Sequence, residues 1–329
     1  MKTLLRQTVV VVLSVLVLAG CGATSSVENP RLSLGVVVDP AWAQVPVAEA
    51  FDLFQRAGVQ VDVVNFASGA AAMESLAGGA VDVVTAADAP TSAGIIASDD
   101  VRVLAQSAYH NNMRIIADGR RGITSLSDLN GRRVGTTFGT SAHYMAATTL
   151  AEHGVSAELV QVAPPELRTA LTRGDIDAAA IFEPYATQIS EAWADDAVVF
   201  RSDPPYTSRV YINTRTDVLD SRRDQITRLL AALQCASTLL EESNPRAVNA
   251  VGEATGLQGS TLGDVVSGYH YELVLDQPAA DGLHTLATWA VAEGNIPEGD
   301  GVPDFAAAFD EQALAESSSV GPACDHSTE

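Results

Sequence analysis

Two short polar turns in this chain carry groups that can bind an anion. Ser68-Gly69 and Thr140-Ser141 each follow an apolar stretch typical of a strand and precede a stretch typical of a helix. The first turn of a helix exposes backbone N–H groups at the positive end of the helix dipole, so two such turns facing one cleft can hold an anion without a buried counter-cation. The alternative interpretation is that the two serines only cap their helices.

Acidic and aromatic side chains near other predicted strand ends extend this candidate site. Glu183 precedes Pro184 and has two interpretations, a structural hinge acid bonded to nearby backbone or an acceptor for an amine or ring N–H of a ligand. Aromatic side chains at strand ends can pack against a ligand's carbon skeleton, although each can equally belong to the core. The candidate ligand-binding residues are Trp42, Ser68, Gly69, Asp88, Phe138, Gly139, Thr140, Ser141, His143, Glu183 and Tyr185, with Tyr144 as a further aromatic candidate.

Strands alternating with helices must position these residues. The apolar patterns predict strands over 32–38, 59–66, 81–85 and 101–107, with helices over 45–58 and 68–77. Such alternation indicates crossover units and a mostly parallel sheet, in which ligands lie beyond the carboxyl ends of the strands. The chain length favours two lobes over one simple core.

A weak internal repeat also favours two similar lobes. Residues 76–84, Leu-Ala-Gly-Gly-Ala-Val-Asp-Val-Val, recur in outline as residues 171–179, Leu-Thr-Arg-Gly-Asp-Ile-Asp-Ala-Ala. Both segments place a helix-ending glycine before a β-branched residue, an aspartate and a small apolar strand. Two further matches follow the same order at nearly the same offset, which a chance similarity does not explain well.

Three motifs make the chain resemble a known family. Residues 126–135 read Leu-Ser-Asp-Leu-Asn-Gly-Arg-Arg-Val-Gly and precede the turn Gly139-Thr140-Ser141-Ala142-His143. Residues 176–185 contain Asp-Ala followed by Phe-Glu-Pro-Tyr, and residues 76–82 match a Leu-x-x-Gly-x-Val-Asp pattern. Together these elements resemble the solute-binding proteins of nitrate, sulfonate and taurine-type ABC transporters, a family that also includes binders of thiamine-type pyrimidines. In this chain Phe182 stands where that family usually has tryptophan.

The resemblance implies a fold, a function and partners. The implied fold class is α/β, a two-lobe periplasmic-binding-protein-like fold of type II with the ligand cleft between the lobes. We expect lobe 1 to comprise residues 31–117 and 207–329, and lobe 2 residues 118–206. The implied function is the extracytoplasmic capture of a small anionic or zwitterionic solute by a monomer, and its delivery to an ABC permease and ATPase. An enzyme or a signalling accessory protein on the same fold is the alternative.

The start of the chain predicts export and a lipid anchor. Lys2 and Arg6 precede an apolar run that ends in Leu18-Ala19-Gly20-Cys21. A basic start, a short apolar run and small residues at the cut describe a secretory signal, and Leu-Ala-Gly-Cys resembles the bacterial lipobox. We therefore expect a signal peptide over 1–20, lipidation of Cys21 at the outer face of the cell membrane, and a linker over 21–30. A signal peptide whose cut only happens to lie beside a cysteine is the alternative.

Composition excludes several classes of function. The formal net charge of −22 makes nucleic acid an improbable partner. Lys2 is the only lysine, so removal of the signal peptide leaves no lysine side chain that could form a Schiff base. We expect no cofactor. The histidines show no metal-binding spacing, and no nucleophile elbow or phosphate loop is present. Cys235 and Cys324 are expected to form a disulfide in an oxidising compartment, with two unpaired thiols as the alternative.

Overall fold

Strands and helices alternate along most of the chain. The structure, a computed structural model, describes residues 31–294, 302–320 and 324. The strands in this part of the chain are β1 (Leu32–Val37), β2 (Val61–Phe66), β3 (Val83–Ala87), β4 (Val101–His110), β5 (Arg114–Asp118), β6 (Arg133–Thr136), β7 (Glu158–Gln161), β8 (Ala178–Ile181), β9 (Ala197–Phe200), β10 (Ser208–Arg215) and β11 (Tyr269–Val274). The α-helices are α1 (Gln44–Ala50), α2 (Leu53–Arg56), α3 (Gly69–Ala77), α4 (Asp88–Ala97), α5 (Ser141–Glu152), α6 (Leu167–Arg173), α7 (Tyr185–Trp193), α8 (Thr216–Glu241), α9 (Pro245–Thr255), α10 (Gly259–Val266), α11 (Gln277–Ala292) and α12 (Glu311–Ser317).

The predicted leader lies outside the described residues. This applies to the signal peptide, to Cys21 and to the linker over 21–30. Of the helices in the described ranges, none combines the length and the apolar character that a bilayer span requires.

The first sheet has six strands in the order β11-β4-β10-β3-β1-β2. β1 pairs in parallel with β2 and β3, whereas β10 pairs antiparallel with β3 and β4. The sheet is therefore mixed rather than mostly parallel, because the returning strand β10 runs opposite to its neighbours. Successive residues of one strand face opposite sides, and Val83 and Val84 accordingly belong to two different buried apolar clusters. Helices cover both faces.

The second sheet has five strands in the order β7-β6-β8-β5-β9. Its β7-β6-β8 portion is parallel and has the same strand order as β2-β1-β3 in the first sheet. β5 is antiparallel to both of its neighbours, β8 and β9. The two lobes therefore share one strand arrangement, as the repeat in the sequence predicts.

The repeated aspartate has the same structural role in both lobes. Asp82 precedes β3 and accepts hydrogen bonds from the backbone N–H of Ser33 at 2.8 Å and from Arg222 at 2.9 Å. Asp177 precedes β8 and accepts from the backbone N–H of Arg133 at 3.0 Å and from Arg121 at 3.1 Å. In each lobe the carboxylate ties the start of one parallel strand to its neighbour, so the repeat reflects packing rather than ligand binding.

The chain passes between the lobes at residues 111–113 and 201–207. The predicted boundary at residues 117 and 118 places β5 in the first lobe. The structure instead places β5 in the second sheet, because Arg114–Asp118 pairs with both β8 and β9. The first crossing therefore comes before Arg114, and β10 of the first sheet begins at Ser208.

The helix predicted over 45–58 is interrupted. α1 ends at Ala50 and α2 begins at Leu53, and between them Asp52 has a φ of 54° in the left-handed region. Aspartate tolerates this conformation better than most residues, and one left-handed residue is enough to break the helical hydrogen-bond ladder.

Cys235 and Cys324 form a disulfide in the structure. Their Cα atoms lie 5.1 Å apart, and Cys235 is fully buried within α8. The bond ties the end of the chain to the long helix that packs on the first sheet.

Candidate functional site

A small cavity lies where strand ends of both lobes meet. Its lining residues are Val37, Asp39, Trp42, Gly69, Ala87, Pro90, His110, Met113, Thr140, Ser141, Phe182 and Val210. The first lobe contributes the loop after β1, the junction of β3 and α4 and the start of α3, and the second lobe contributes the start of α5 and the residue after β8. The cavity has a volume of about 30 Å³, which is room for about one or two water molecules.

The predicted ligand-binding residues fall into two groups. Trp42, Gly69, Thr140 and Ser141 line the cavity. The remaining predicted residues, Ser68, Asp88, Phe138, Gly139, His143, Glu183 and Tyr185, are not part of its described lining. Several of these residues nevertheless bind, or lie next to, residues that line the cavity.

The start of α3 is capped by Ser68. Its hydroxyl accepts from the backbone N–H of Ala71 at 3.3 Å, so the interpretation of Ser68 as a cap describes this structure. Gly69 is needed for close packing, because a Cβ there would lie 3.0 Å from Cγ of Pro90 and 3.3 Å from Cα of Ala86. The start of α3 can therefore approach the junction of β3 and α4 and face the cavity.

At the start of α5 the cap is Thr140 rather than Ser141. Gly139 has a φ of +73°, which turns the chain into the helix at a backbone angle that suits glycine. The hydroxyl of Thr140 accepts from the N–H of His143 at 3.4 Å and donates to the carbonyl of Thr137 at 2.6 Å. Ser141 is the first helical residue, and its side chain does not cap the helix.

Ser141 uses its hydroxyl to contact the other lobe. It donates to Oδ1 of Asp88, the first residue of α4. The Asp88 carboxylate also accepts from the hydroxyl of Tyr206 at 2.5 Å and from the backbone N–H groups of Ala89 at 2.9 Å and Arg209 at 3.1 Å. The side chain is 1% exposed, and burial raises the pKa of Asp88 although these hydrogen bonds oppose the rise. Asp88 thus joins both lobes and the second crossing.

Glu183 is held by an arginine that the sequence patterns do not single out. Its Oε1 accepts from Nη2 of Arg114, and its Oε2 accepts from the backbone N–H of Thr187 at 3.0 Å. Arg114 also donates to the hydroxyl of Thr187 at 2.8 Å. Nε of Arg114 is buried and has no hydrogen-bond partner within the described residues. The first residue of a strand just after a crossing is a position that no motif marks, so only the folded chain reveals this pair.

Asp39 is an acidic residue of the cavity wall that is not among the predicted ligand-binding residues. It lies in the same segment after β1 as the predicted residue Trp42. It follows β1 and caps a short 3₁₀ helix, and its Oδ1 accepts from the N–H of Ala41 at 2.7 Å and from the hydroxyl of Tyr269 at 3.2 Å. Burial raises the pKa of Asp39 to about 7, and the negative charge of Glu183 adds to the rise. Asp39 is therefore close to half-ionised at neutral pH.

His110 forms a neutral part of the cavity wall at the end of β4. Burial lowers the pKa of its imidazole to about 3, so the ring is uncharged at neutral pH. Its Nδ1 accepts from the backbone N–H of Asn112 at 3.2 Å, and its ring packs on Tyr269 at a centroid distance of 4.6 Å. No group of three potential His, Cys, Asp or Glu metal ligands occurs in the described ranges.

A second set of aromatic contacts joins the lobes beside the cavity. Phe138 stacks on His143 with ring centroids 4.7 Å apart. Trp289, on α11, meets the rings of His143 and Tyr144 on α5, each at 5.2 Å. The predicted aromatic candidates Phe138 and Tyr144 and the predicted polar candidate His143 thus belong to one aromatic cluster around Trp289, outside the described cavity lining. Tyr185 packs against Phe182, whose own ring lines the cavity.

Comparisons with known proteins identify relatives of this chain. A model described as the NMT1-like family matches residues 25–253. A protein of Bacillus subtilis (strain 168), provisionally named an aliphatic sulfonates-binding protein, is 24% identical over 269 residues, which cover 78% of this chain and 81% of the relative. The taurine-binding periplasmic protein of Escherichia coli (strain K12) is 30% identical over 152 residues, 44% of this chain and 46% of that protein.

Solved structures share the fold. The alkanesulfonate-binding protein SsuA from Xanthomonas axonopodis pv. citri, solved with bound MOPS, matches with a TM-score of 0.73 at 19% identity, over 86% of this chain and 99% of that one. The desulfurization enzyme DSZB matches with a TM-score of 0.62 at 15% identity, over 88% of this chain and 99% of that one. The predicted periplasmic-binding-protein fold is confirmed, and the fold by itself does not separate binding proteins from enzymes.

Proposed function

Since the chain belongs to the NMT1-like family, we propose that it is the extracytoplasmic solute-binding component of an ABC importer. Its ligand is a small zwitterion that carries an anionic group and an amine, of which an aminosulfonate is the simplest example. The protein binds this solute between its lobes, without turnover, and delivers it to a membrane permease driven by a cytoplasmic ATPase.

The observation that carries the proposal is the cavity between the lobes. Asp39 lies on its wall from the first lobe, and Thr140 and Ser141 at the start of α5 line it from the second. A ligand amine can pair with the carboxylate of Asp39, while an anionic group suits the positive end of α5. Trp42 and Phe182 offer apolar surface for the carbon atoms between the two charged groups.

The charges around the cavity favour a zwitterion over a simple anion. Asp39, Asp88 and Glu183 are all buried, and the guanidinium of Arg114 is already paired with Glu183. Two like charges about 4 Å apart repel by about 4 kcal/mol at an effective dielectric constant of about 20. A ligand with an amine offsets this repulsion, whereas nitrate does not. The names of the two relatives, one for aliphatic sulfonates and one for taurine, support the same class of ligand.

The proposed place of action follows from the start of the chain. Lipidation at Cys21 would hold a monomer at the outer face of the cell membrane, where it meets the permease. The periplasmic relative in Escherichia coli supports an extracytoplasmic location.

A ligand screen tests the proposal. Thermal unfolding of the purified protein is measured with taurine, methanesulfonate, nitrate and an aminopyrimidine, since a ligand at 100 times its dissociation constant adds about 2.7 kcal/mol of stability. We expect taurine or a close aminosulfonate to stabilise the protein most and calorimetry to give one site per chain.

Two results would contradict the proposal. Stabilisation by nitrate or methanesulfonate with none by any amine-bearing solute would reject the zwitterion class. Consumption of the bound solute, followed by mass spectrometry, would instead favour an enzyme.

A further inference from the structure

The carboxylate of Asp88 lies at the start of α5, where hydrogen-bond donors could bind the anionic group of a ligand. Asp88 begins α4 in the first lobe, and it accepts from the hydroxyl of Ser141, the first residue of α5 in the second lobe. Ser141 lines the cavity between the lobes. The chain thus brings one of its own anionic groups to the helix end that the proposed function assigns to the anionic group of the ligand.

The environment of Asp88 resembles a site built for an anion. Its donors are two hydroxyls, from Ser141 and Tyr206, and two backbone N–H groups, from Ala89 and Arg209. All four donors are neutral. The carboxylate is 1% exposed and lies at the positive end of both α4 and α5. Neutral donors and helix ends are the means by which proteins hold anions without a counter-cation.

The hydrogen bonds of Asp88 also close the cleft. Ser141 belongs to the second lobe, Asp88 to the first, and Tyr206 and Arg209 to the second crossing and the strand that follows it. The cavity between the lobes has a volume of about 30 Å³ in this arrangement, which is too small for an organic sulfonate. Admission of an organic sulfonate therefore requires the lobes to move apart, and Asp88 and Ser141 lie on opposite lobes.

We propose that Asp88 is a tethered competitor that sets the specificity of the cleft. In the closed arrangement its carboxylate occupies the α5 end and holds the lobes together. The anionic group of the ligand must replace it at Ser141, so weakly bound anions fail to open the cleft. This inference rests on the proposed function, because it assigns the α5 end to the ligand.

Three variants and one control test the proposal. Asp88→Asn keeps the shape of the side chain and removes its charge, and Asp88→Ala removes the group. Tyr206→Phe takes away one donor to Asp88 while leaving Ser141 available to a ligand. Asp99→Asn is the matched control, because it removes one charge from an exposed residue just beyond the end of α4.

Calorimetry with methanesulfonate, which has no amine, isolates the anionic half of the ligand. A tethered group competes at an effective concentration in the millimolar range, so its removal strengthens binding well beyond the effect of one surface charge. We expect Asp88→Asn and Asp88→Ala to bind methanesulfonate about tenfold more tightly or better, Tyr206→Phe to show a smaller gain, and Asp99→Asn to bind like the unaltered protein. Equal or weaker binding by folded Asp88 variants would overturn the proposal.

Small-angle X-ray scattering without any ligand gives an independent measurement. We expect Asp88→Ala and Tyr206→Phe to have a larger radius of gyration than the unaltered protein and Asp99→Asn to leave it unchanged. If no form binds methanesulfonate or taurine, the proposed function fails while scattering still tests the contact between the lobes. A radius of gyration that stays the same in both variants would refute the role of Asp88 in closure.

Discussion

Replacing Asp39 with asparagine tests whether the cavity wall carries a carboxyl group that is costly to ionise. Oδ1 of Asp39 accepts two hydrogen bonds, from Ala41 at 2.7 Å and from Tyr269 at 3.2 Å. The amide oxygen of asparagine can accept both. Asp39→Asn therefore keeps the local geometry and removes only the ability to ionise.

The magnitude follows from the pKa of Asp39, which burial raises from 3.8 in the unfolded chain to about 7 in the folded protein. Between these values the folded state binds the proton more tightly, so the free energy of unfolding of the unaltered protein falls as the pH rises. A shift of one pKa unit corresponds to about 1.4 kcal/mol, so the full loss is on the order of 4 kcal/mol, of which about 2.7 kcal/mol falls between pH 5 and pH 8. Asp39→Asn lacks this loss.

Urea unfolding followed by circular dichroism at pH 5, 6, 7 and 8 measures the effect. We expect the stability of Asp39→Asn relative to the unaltered protein to increase steadily over this range. Asp220→Asn, which neutralises an exposed aspartate on α8, is the control for the loss of one negative charge. A constant difference between Asp39→Asn and the unaltered protein at all four pH values would refute the reasoning.

The same titration has a consequence for ligand binding. An amine pairs with the ionised form of Asp39, so the affinity of the unaltered protein for taurine is expected to rise as the pH increases through about 7. Asp39→Asn should bind taurine more weakly at pH 8 and without this dependence. Unchanged affinity and an unchanged pH profile would place the amine elsewhere.

Three further predictions concern the anchor, the disulfide and the ion pair. Cys21→Ala is expected to abolish metabolic labelling with palmitate, and a labelled variant in the membrane fraction would exclude lipidation at this cysteine. Mass spectrometry of non-reduced peptides should find Cys235 linked to Cys324, a bond that closes a sequence separation of 89 residues and contributes about 4.6 kcal/mol in the chain-entropy model; two free thiols in the exported protein would contradict the pairing. Glu183→Gln leaves the mostly buried guanidinium of Arg114 without its charged partner, so urea unfolding should show a loss of about 3 kcal/mol. Glu183→Gln should also bind methanesulfonate more tightly, because it removes a negative charge that is close enough to the cavity to raise the pKa of Asp39, and weaker binding would argue against this.

The sequence by itself determined the two-lobe α/β architecture, but not the antiparallel strands that make both sheets mixed. Hydrophobic periodicity placed β1, β2 and α3 within about two residues of their observed positions, because burial of alternate or every third and fourth side chain is a local property of the chain. The repeated glycine and aspartate pattern predicted two similar lobes, since the same carboxylate, Asp82 or Asp177, fastens the same pair of strands in each. Motifs in the second lobe identified the family that the comparisons show.

Only the tertiary structure decided how the site is assembled. Asp88, Ser141 and Tyr206 are far apart in the sequence and meet because two lobes close on each other. The same closure determines that Asp39 lines the cavity and Glu183 does not. Glu183 pairs with Arg114 inside the second lobe, because β5 and β8 are neighbouring strands of one sheet. A sequence pattern predicts which strand ends carry polar groups. Which of those groups bind one another and which remain for a ligand depends on distances within and between the lobes, and these are fixed by packing that no local pattern encodes.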